Sequence, residues 1–206
     1  KQLFEGAMVN SGQVCLAIKR AYVPASMYDA ICAELATLAD AAVVGDGMKP
    51  DTQFGPIQNK MQYDRVKSLI ADAAQKGKVI AGGEHKGPGY FIRPTIVRDV
   101  ADDSRIVREE QFGPVLPVLK YTDVNDAIRR ANDTDYGLGG TVWATDTKRA
   151  LDVAKQVKSG IVWVNCHMNI SPLIATGGAK QSGMGLELGL EGLEEFTQRH
   201  LVYAAN

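Results

Sequence analysis

Long apolar runs and runs of one charge sign are both missing from this sequence. No apolar stretch reaches the roughly 20 residues that a bilayer crossing requires, and the first residues lack the pattern of a signal peptide. The 23 basic and 24 acidic residues are interspersed and give a formal net charge of −1. Nucleic acids and anionic membranes attract proteins through clustered positive charge. The sequence therefore predicts neither a nucleic-acid partner nor a membrane partner.

Cysteine is also scarce. The chain contains only Cys15, Cys32 and Cys166, and an odd number of cysteines cannot be fully paired within one chain. These positions lack the short spacings of zinc ligands, so no metal site is predicted. Free thiols persist in reducing compartments, whereas disulfide scaffolds belong to oxidising ones. The cysteine pattern therefore favours a cytoplasmic location.

Strand and helix patterns alternate along most of the chain. Apolar runs at residues 115–116 and 161–164 are typical of strands buried on both faces, and amphipathic helical stripes lie between such segments. This alternation predicts an α/β fold with a mostly parallel sheet flanked by helices on both faces. A chain of 206 residues is large enough to bury a core without disulfides, and no clear linker divides it.

One cysteine lies where the chain is expected to change from helix to strand. A helical run at residues 4–9 leads into a Ser-Gly break, then Cys15, then an extended stretch at residues 18–23. A thiol at such a junction can face a cleft, where backbone N–H groups stabilise a thiolate and an oxyanion. A cysteine is also a common small residue of apolar cores. These residues alone support a nucleophile and a core side chain about equally.

Four short motifs follow one another along the chain. They are Gly-Gln-Val-Cys at residues 12–15, Glu-Glu-Gln-Phe-Gly-Pro at residues 109–114, Gly-Ile-Val-Trp-Val-Asn at residues 160–165 and Gly-Gly-Ala-Lys-Gln-Ser-Gly-Met-Gly at residues 177–185. In order and spacing they resemble the cysteine motif, the cofactor-contacting loop, a late core strand and the glycine-rich loop of the aldehyde dehydrogenase superfamily. The resemblance covers essentially the whole chain and implies the fold of that family's catalytic domain.

The resemblance implies oxidation of a small-molecule aldehyde. Cys15 is then the catalytic nucleophile: its thiolate adds to the aldehyde to form a thiohemiacetal, and loss of hydride leaves a thioester that water hydrolyses to a carboxylic acid. Glu187, just after the glycine-rich loop, matches a family glutamate near the deacylating water. The alternative for Glu187 is an acidic residue at the start of a helix, stabilised by the helix dipole. Lys180 matches a family lysine and is expected to be structural.

The same resemblance implies a nicotinamide dinucleotide cofactor. Glu110 matches a carboxylate that accepts hydrogen bonds from the nicotinamide ribose, and Phe112 matches a ring that packs near the nicotinamide. Without the resemblance, a solvated glutamate and a core phenylalanine are favoured. The family's cofactor-binding domain and general-base glutamate precede the cysteine motif and are absent from these 206 residues. The choice between NAD and NADP therefore stays open, and the chain is expected to be an excised part that is inactive alone.

The end of the chain is expected to serve subunit contact. On this interpretation residues 1–198 form a partial catalytic domain that bears the cysteine, and residues 199–206 form a short C-terminal oligomerisation strand. The last helix is predicted over residues 186–196 and the strand over residues 200–204. In the family this strand pairs with another subunit, and unpaired strand edges favour such pairing. A homo-oligomer through the C-terminal strand is therefore predicted.

Two other classes of function stay open. A non-catalytic folded fragment, such as an oligomerisation module, would also explain a chain without the family's cofactor domain. A cysteine hydrolase can be built from Cys15 and His167, because a histidine near the cleft can take the thiol proton. In the family an aromatic pair usually precedes the glycine-rich loop, whereas Ala175 and Thr176 stand there in this chain. No particular aldehyde is therefore predicted.

Overall fold

The chain folds into two compact units, residues 1–131 and residues 132–206. The structure is a computed structural model that describes residues 1–84 and 87–206. His85, for which no functional role is predicted, lies outside the described residues. The division predicted at residue 198 is a different boundary from the one between these units, and it stays a prediction.

The first unit alternates helices and strands. Its helices are α1 (Gln2–Met8), α2 (Tyr28–Ala41), α3 (Lys60–Lys76), α4 (Arg105–Arg108) and α5 (Val124–Asn132), with a 3-10 helix at Val9–Gly12. Its strands are β1 (Ala21–Pro24), β2 (Lys78–Glu84), β3 (Ile92–Arg98) and β4 (Val115–Tyr121). Neither these helices nor any other helix in the described part of the chain is long and apolar enough to cross a membrane.

The sheet of the first unit is mixed rather than wholly parallel. Its strand order is β1-β4-β3-β2. Strand β4 pairs in parallel with β1 and with β3, whereas β2 pairs antiparallel with β3. Only residues 85–91 separate β2 from β3, and a connection this short joins antiparallel neighbours more readily than parallel ones. The predicted α/β class is confirmed, with one antiparallel edge.

Helices cover both faces of this sheet, as predicted. Adjacent strand residues alternate between two apolar cores because successive side chains point to opposite faces. The core on the side of α1 and α2 includes Met8, Cys32, Leu35, Ile96 and Leu116. The core on the side of α3 and α4 includes Val66, Leu69, Val97, Ile106 and Val115. Cys32 is fully buried, which makes it a core residue.

The second unit is built from short elements. They are β5 (Tyr136–Gly137), β6 (Gly139–Val142), α6 (Thr147–Ala154), β7 (Ile161–Val164), β8 (Thr176–Gly177), β9 (Ala179–Lys180), β10 (Leu186–Glu187) and α7 (Gly189–Glu194). Strands β6 and β7 pair in parallel, and the pairs β5–β9 and β8–β10 are antiparallel.

The end of the second unit differs from the predicted helix over residues 186–196. Leu188 has a φ angle of 66°, and a right-handed helix cannot continue through a residue in this conformation. The chain therefore forms strand β10 first, and α7 begins only at Gly189. Residues 199–206 form no strand within this chain. A strand needs a hydrogen-bonded partner, so the oligomerisation strand stays a prediction.

Candidate active site

Cys15 lies in a turn between α1 and β1, at the predicted junction of helix and strand. The three residues Asn10, Ser11 and Gly12 before it have positive φ angles of 48°, 55° and 72°. Such conformations are unfavourable for residues with a side chain, and they persist where the surroundings enforce them. The Cys15 side chain is exposed. The core-filling alternative is therefore wrong for Cys15.

The segment at residues 55–58 braces this turn through hydrogen bonds. Ser11 Oγ donates to the carbonyl of Gly55 at 2.9 Å. Gln13 Nε2 donates to the carbonyl of Pro56 at 3.2 Å, and Gln13 Oε1 accepts from the backbone N–H of Gln58 at 2.9 Å. The polar residues of the cysteine motif are thus used to hold its backbone. Among the described residues, the N–H of Cys15 itself has no hydrogen-bond partner, so it can donate to an anion.

The cysteine turn packs directly against the predicted cofactor loop. A Cβ added to Gly12 would overlap the carbonyl group of Gly113. The close approach and the positive φ both require glycine at position 12. On its other side Gly113 rests on Val66 of α3, since a Cβ there would lie 2.5 Å from Val66 Cγ2. Two glycines from distant motifs therefore bring the two segments together.

Helix α3 fixes the backbone of the loop that carries Glu110 and Phe112. Gln62 Nε2 donates to the carbonyls of Gln111 and Phe112 at 2.8 and 3.0 Å. Arg65 donates to the carbonyl of Glu110 at 3.1 Å. Phe112 has a φ of 48°, a strained conformation that these bonds help to hold. Sequence reasoning missed Gln62 and Arg65 because they resemble ordinary solvent-facing helix residues.

The two adjacent glutamates of this loop have different partners. Glu109 forms ion pairs with Arg105 at 2.6 Å and with Arg65 at 3.2 Å. The hydrogen bond from Arg105, together with the attraction of both arginines, holds the pKa of Glu109 below its usual value. Glu110 is half-buried, and its charge attracts the ammonium of Lys19. Glu110 is therefore the loop carboxylate whose charge acts on Lys19, a lysine that contacts the cysteine turn.

Lys19 is a charged residue of this site that sequence reasoning did not identify. Its Nζ donates to the carbonyl of Gly12 at 2.8 Å and lies 4.9 Å from the ring centroid of Phe112. Burial lowers the pKa of Lys19 to about 8, while the charges of Glu110 and Cys15 act to raise it. The only signal in the sequence was a lysine four residues after the cysteine, in a mostly apolar segment.

The second unit contains Glu187 and the glycine-rich loop. Glu187 belongs to β10, pairs with Thr176 of β8 and is exposed. The alternative that placed Glu187 at the start of a helix is therefore wrong. Lys180 Nζ donates to the carbonyls of Asn132 and Thr134 at 2.8 and 3.1 Å, which fits the structural role expected for it.

His167 also belongs to the second unit. Its Nδ1 lies 2.7 Å from Thr141 Oγ1, and its ring packs edge-on against Trp163 with 5.3 Å between centroids. The imidazole is thus held by a hydroxyl and an indole of its own unit. Across residues 1–84 and 87–206, no three histidine, cysteine or acidic side chains are grouped so that they could hold a metal ion.

The first unit thus combines an α/β fold with an exposed thiol on a braced turn, which packs against a loop that carries a carboxylate and an aromatic ring. The family can be given more closely. The chain belongs to the aldehyde dehydrogenase family, whose model matches residues 1–202. This match confirms the resemblance that the four motifs indicate.

Individual relatives agree with this assignment. The chain is 41% identical over 199 residues to the mitochondrial aldehyde dehydrogenase of Leishmania tarentolae, covering 96% of this chain and 40% of that protein. It is 38% identical over 196 residues to aldehyde dehydrogenase 1A1 of Bos taurus, covering 94% and 39%. The NAD+ complex of an aldehyde dehydrogenase from Bacillus cereus superposes with a TM-score of 0.92 at 38% identity, covering 96% and 40%. The chain thus spans about 40% of the length of the relatives it matches.

Proposed function

We propose that this chain is the cysteine-bearing catalytic portion of an NAD(P)-dependent enzyme that oxidises an aldehyde to a carboxylic acid. The observation that carries the proposal is the packing of Gly12 against Gly113. This contact brings the turn of Cys15 next to the loop of Glu110 and Phe112. A nucleophile and residues suited to a nicotinamide are therefore neighbours within one compact unit.

Cys15 forms the covalent intermediates. Its thiolate adds to the aldehyde carbon, the carbonyl oxygen becomes an oxyanion, and the N–H of Cys15 can donate to that oxyanion. When the thiohemiacetal collapses, its carbon loses a hydride and becomes the carbonyl carbon of a thioester. Water then attacks this carbon, and the thiolate leaves as the carboxylic acid forms.

Glu110 and Phe112 suit the nicotinamide end of the cofactor. The carboxylate of Glu110 can accept hydrogen bonds from ribose hydroxyls, and the half-buried ring of Phe112 offers an apolar surface to the nicotinamide. When it is bound, NAD or NADP supplies the acceptor for the hydride. The α3 hydrogen bonds to this loop keep both side chains on a fixed backbone.

Glu187 is proposed to assist deacylation by holding a water. Its exposed carboxylate can accept a hydrogen bond from water, and its place in β10 fixes its backbone.

Assembly and location complete the proposal. Residues 199–206 are exposed and include the apolar side chains of Leu201, Val202 and Tyr203, which suits a segment that pairs with another subunit in a homo-oligomer. All three cysteines are free thiols, which agrees with a reducing compartment such as the cytoplasm.

The test is the reactivity of Cys15 measured in the unaltered chain. Alkylation is followed against pH, and peptide mapping assigns the label to each cysteine. We expect Cys15 to react faster than Cys166, with a midpoint below the free-thiol value of about 8.5. A small aldehyde such as propanal should slow the labelling of Cys15 and leave Cys166 unchanged, because a thiohemiacetal masks the thiol. Equal rates and a midpoint at the free-thiol value would contradict the proposal.

A His167→Gln variant separates oxidation from the hydrolase alternative. A hydrolase that uses His167 as the base loses the low alkylation midpoint of Cys15 in this variant. The proposed dehydrogenase chemistry needs no histidine, so we expect the profile of Cys15 to stay the same. The far-ultraviolet circular dichroism spectrum, compared with that of the unaltered chain, checks that the variant is folded.

A further inference from the structure

Lys19 contacts both segments of the candidate site. Its ammonium donates to the carbonyl of Gly12, three residues before the cysteine, at 2.8 Å. The same nitrogen lies 4.9 Å from the ring centroid of Phe112, within the range of a cation–π interaction. Lys19 therefore links the cysteine turn to the cofactor loop by a second contact, independent of the packing of Gly12 against Gly113.

The charges around Lys19 are opposite in sign to its own. Glu110 of the cofactor loop and the thiolate of Cys15 both attract the ammonium. Both charges act to raise the pKa of Lys19, against the burial that lowers it to about 8. Partial burial strengthens the effect, because water screens these charges less than it screens charges on an open surface. A cation beside a cysteine is one of the established ways in which proteins lower a thiol pKa.

We propose that Lys19 is a positioning residue of the reaction: it holds the cysteine turn on the loop of Glu110 and Phe112, and its positive charge favours the thiolate of Cys15. The inference rests on the proposed function, since it assumes that Cys15 is the nucleophile. Lys19 itself gains no covalent bond and transfers no proton in this role.

A purely structural role for Lys19 predicts that the alkylation of Cys15 does not depend on the charge at position 19. If Lys19 only joined the Gly12 carbonyl to the Phe112 ring, its loss would change stability and leave the pH midpoint of Cys15 alkylation unchanged. If its charge acts on the thiol, the alkylation midpoint of Cys15 must change in a variant without the charge. The midpoint must stay the same in a variant that retains the charge. The pH profile of labelling therefore distinguishes the two roles.

The experiment compares Lys19→Met, Lys19→Arg and the unaltered chain. Methionine keeps the apolar stem and removes the charge, whereas arginine keeps a cation that stays protonated above pH 10. We expect Lys19→Met to raise the Cys15 midpoint by about one pH unit, which slows labelling at neutral pH about tenfold. Lys19→Arg should retain most of the rate. The matched control is Lys49→Met, a change at an exposed loop lysine, which should leave the midpoint unchanged.

Each outcome decides the inference. A folded Lys19→Met variant with an unchanged Cys15 midpoint overturns it. If Lys19→Met does not fold, Lys19→Arg decides: a midpoint at or below that of the unaltered chain supports a charge effect, and a higher midpoint contradicts it. If the proposed function is wrong, a different result is expected: Cys15 of the unaltered chain would react no faster than Cys166. If Cys15 is reactive but its alkylation midpoint does not change with the charge at position 19, only the inference about Lys19 is refuted.

Discussion

The two units bury their apolar side chains to very different degrees. In the first unit helices cover both faces of the sheet, and Ile96 and Leu116 are fully buried. In the second unit many large apolar side chains are exposed, among them Leu190, Leu193 and Phe196. Exposed apolar surface of this extent is typical of regions that contact another protein surface. The first unit is therefore expected to be stabilised by its own cores, and the second to gain more from association.

The site residues follow the same contrast. In the first unit hydrogen bonds from Ser11, Gln13, Gln62 and Arg65 hold the backbone around the thiol and the cofactor loop. In the second unit Glu187 lies on a two-residue strand and is exposed. The backbone around Cys15 therefore has more side-chain hydrogen bonds than the backbone of Glu187, which suits the proposed order of steps, in which the thiol acts first and a water is positioned later.

The largest expected effect is the absence of turnover when the chain acts alone. Catalytic groups that act as a unit lose activity steeply when one is missing, and in the proposed function Glu110 and Phe112 serve only the nicotinamide end of a dinucleotide. Most dinucleotide affinity comes from the pyrophosphate and adenosine cradle, so NAD should also bind weakly. The measurement is the absorbance of reduced nicotinamide with a panel of aldehydes, with Cys15→Ser as background. Turnover above that background would show that the two units suffice.

A pair of leucine substitutions compares the units directly. Leu116→Ala removes a fully buried side chain of the first unit, and we expect a loss of about 2–5 kcal/mol in the free energy of unfolding. Leu193→Ala changes an exposed leucine of the second unit, with an expected change within about 0.5 kcal/mol. Urea denaturation followed by circular dichroism measures both. Similar losses for the two variants would remove the contrast between the units.

Deletion of residues 199–206 tests the association of the second unit. Their exposed apolar side chains cost little to remove from a monomer, but pairing with another chain would be lost. We expect sedimentation velocity to show a shift toward monomer after the deletion. Met48→Ala removes a similarly exposed apolar side chain from the first unit and should leave the profile unchanged. An identical profile for the deleted and intact chains would exclude the tail from the interface.

The smallest expected effect is a dependence of stability on pH that comes from Lys19. Its pKa is about 8 in the folded chain, below the ordinary value of 10.5, so the unfolded chain binds more protons between these values. The free energy of unfolding should therefore rise with pH across this window, and the penalty of the buried charge is fully present below it. The Lys19→Met variant has no ionisable group at this position and therefore lacks this contribution to the pH dependence. Urea denaturation at pH 7.5 and pH 9.5 should show a smaller rise for Lys19→Met; equal rises would contradict the assignment.

Local sequence patterns predicted the elements well where packing agreed with them. Apolar residues at helical spacing predict a helix over residues 59–75. Helix α3 is observed at Lys60–Lys76, where Asn59 caps the first turn by accepting from Gln62 N. The last helix was predicted wrongly because the positive φ of Leu188 leaves no trace in apolar periodicity. The antiparallel pairing of β2 with β3 could not be predicted from the sequence of β2. Whether two strands pair in parallel or antiparallel depends on both strands and on the connection between them.

The sequence by itself determined the α/β class and the family, because these depend on periodicity and short motifs, and it selected Cys15 as the thiol proposed to be the nucleophile. Only the tertiary structure decided which residues surround that thiol. Gly12 and Gly113 meet across about a hundred positions of chain, and Lys19 contacts Phe112 from another segment. Neighbours this far apart in sequence are set by the packing of α3 and the sheet, and side-chain pKa values follow from those neighbours. The role proposed for Lys19 therefore follows only from the folded structure, where its contacts with Gly12 and Phe112 are seen.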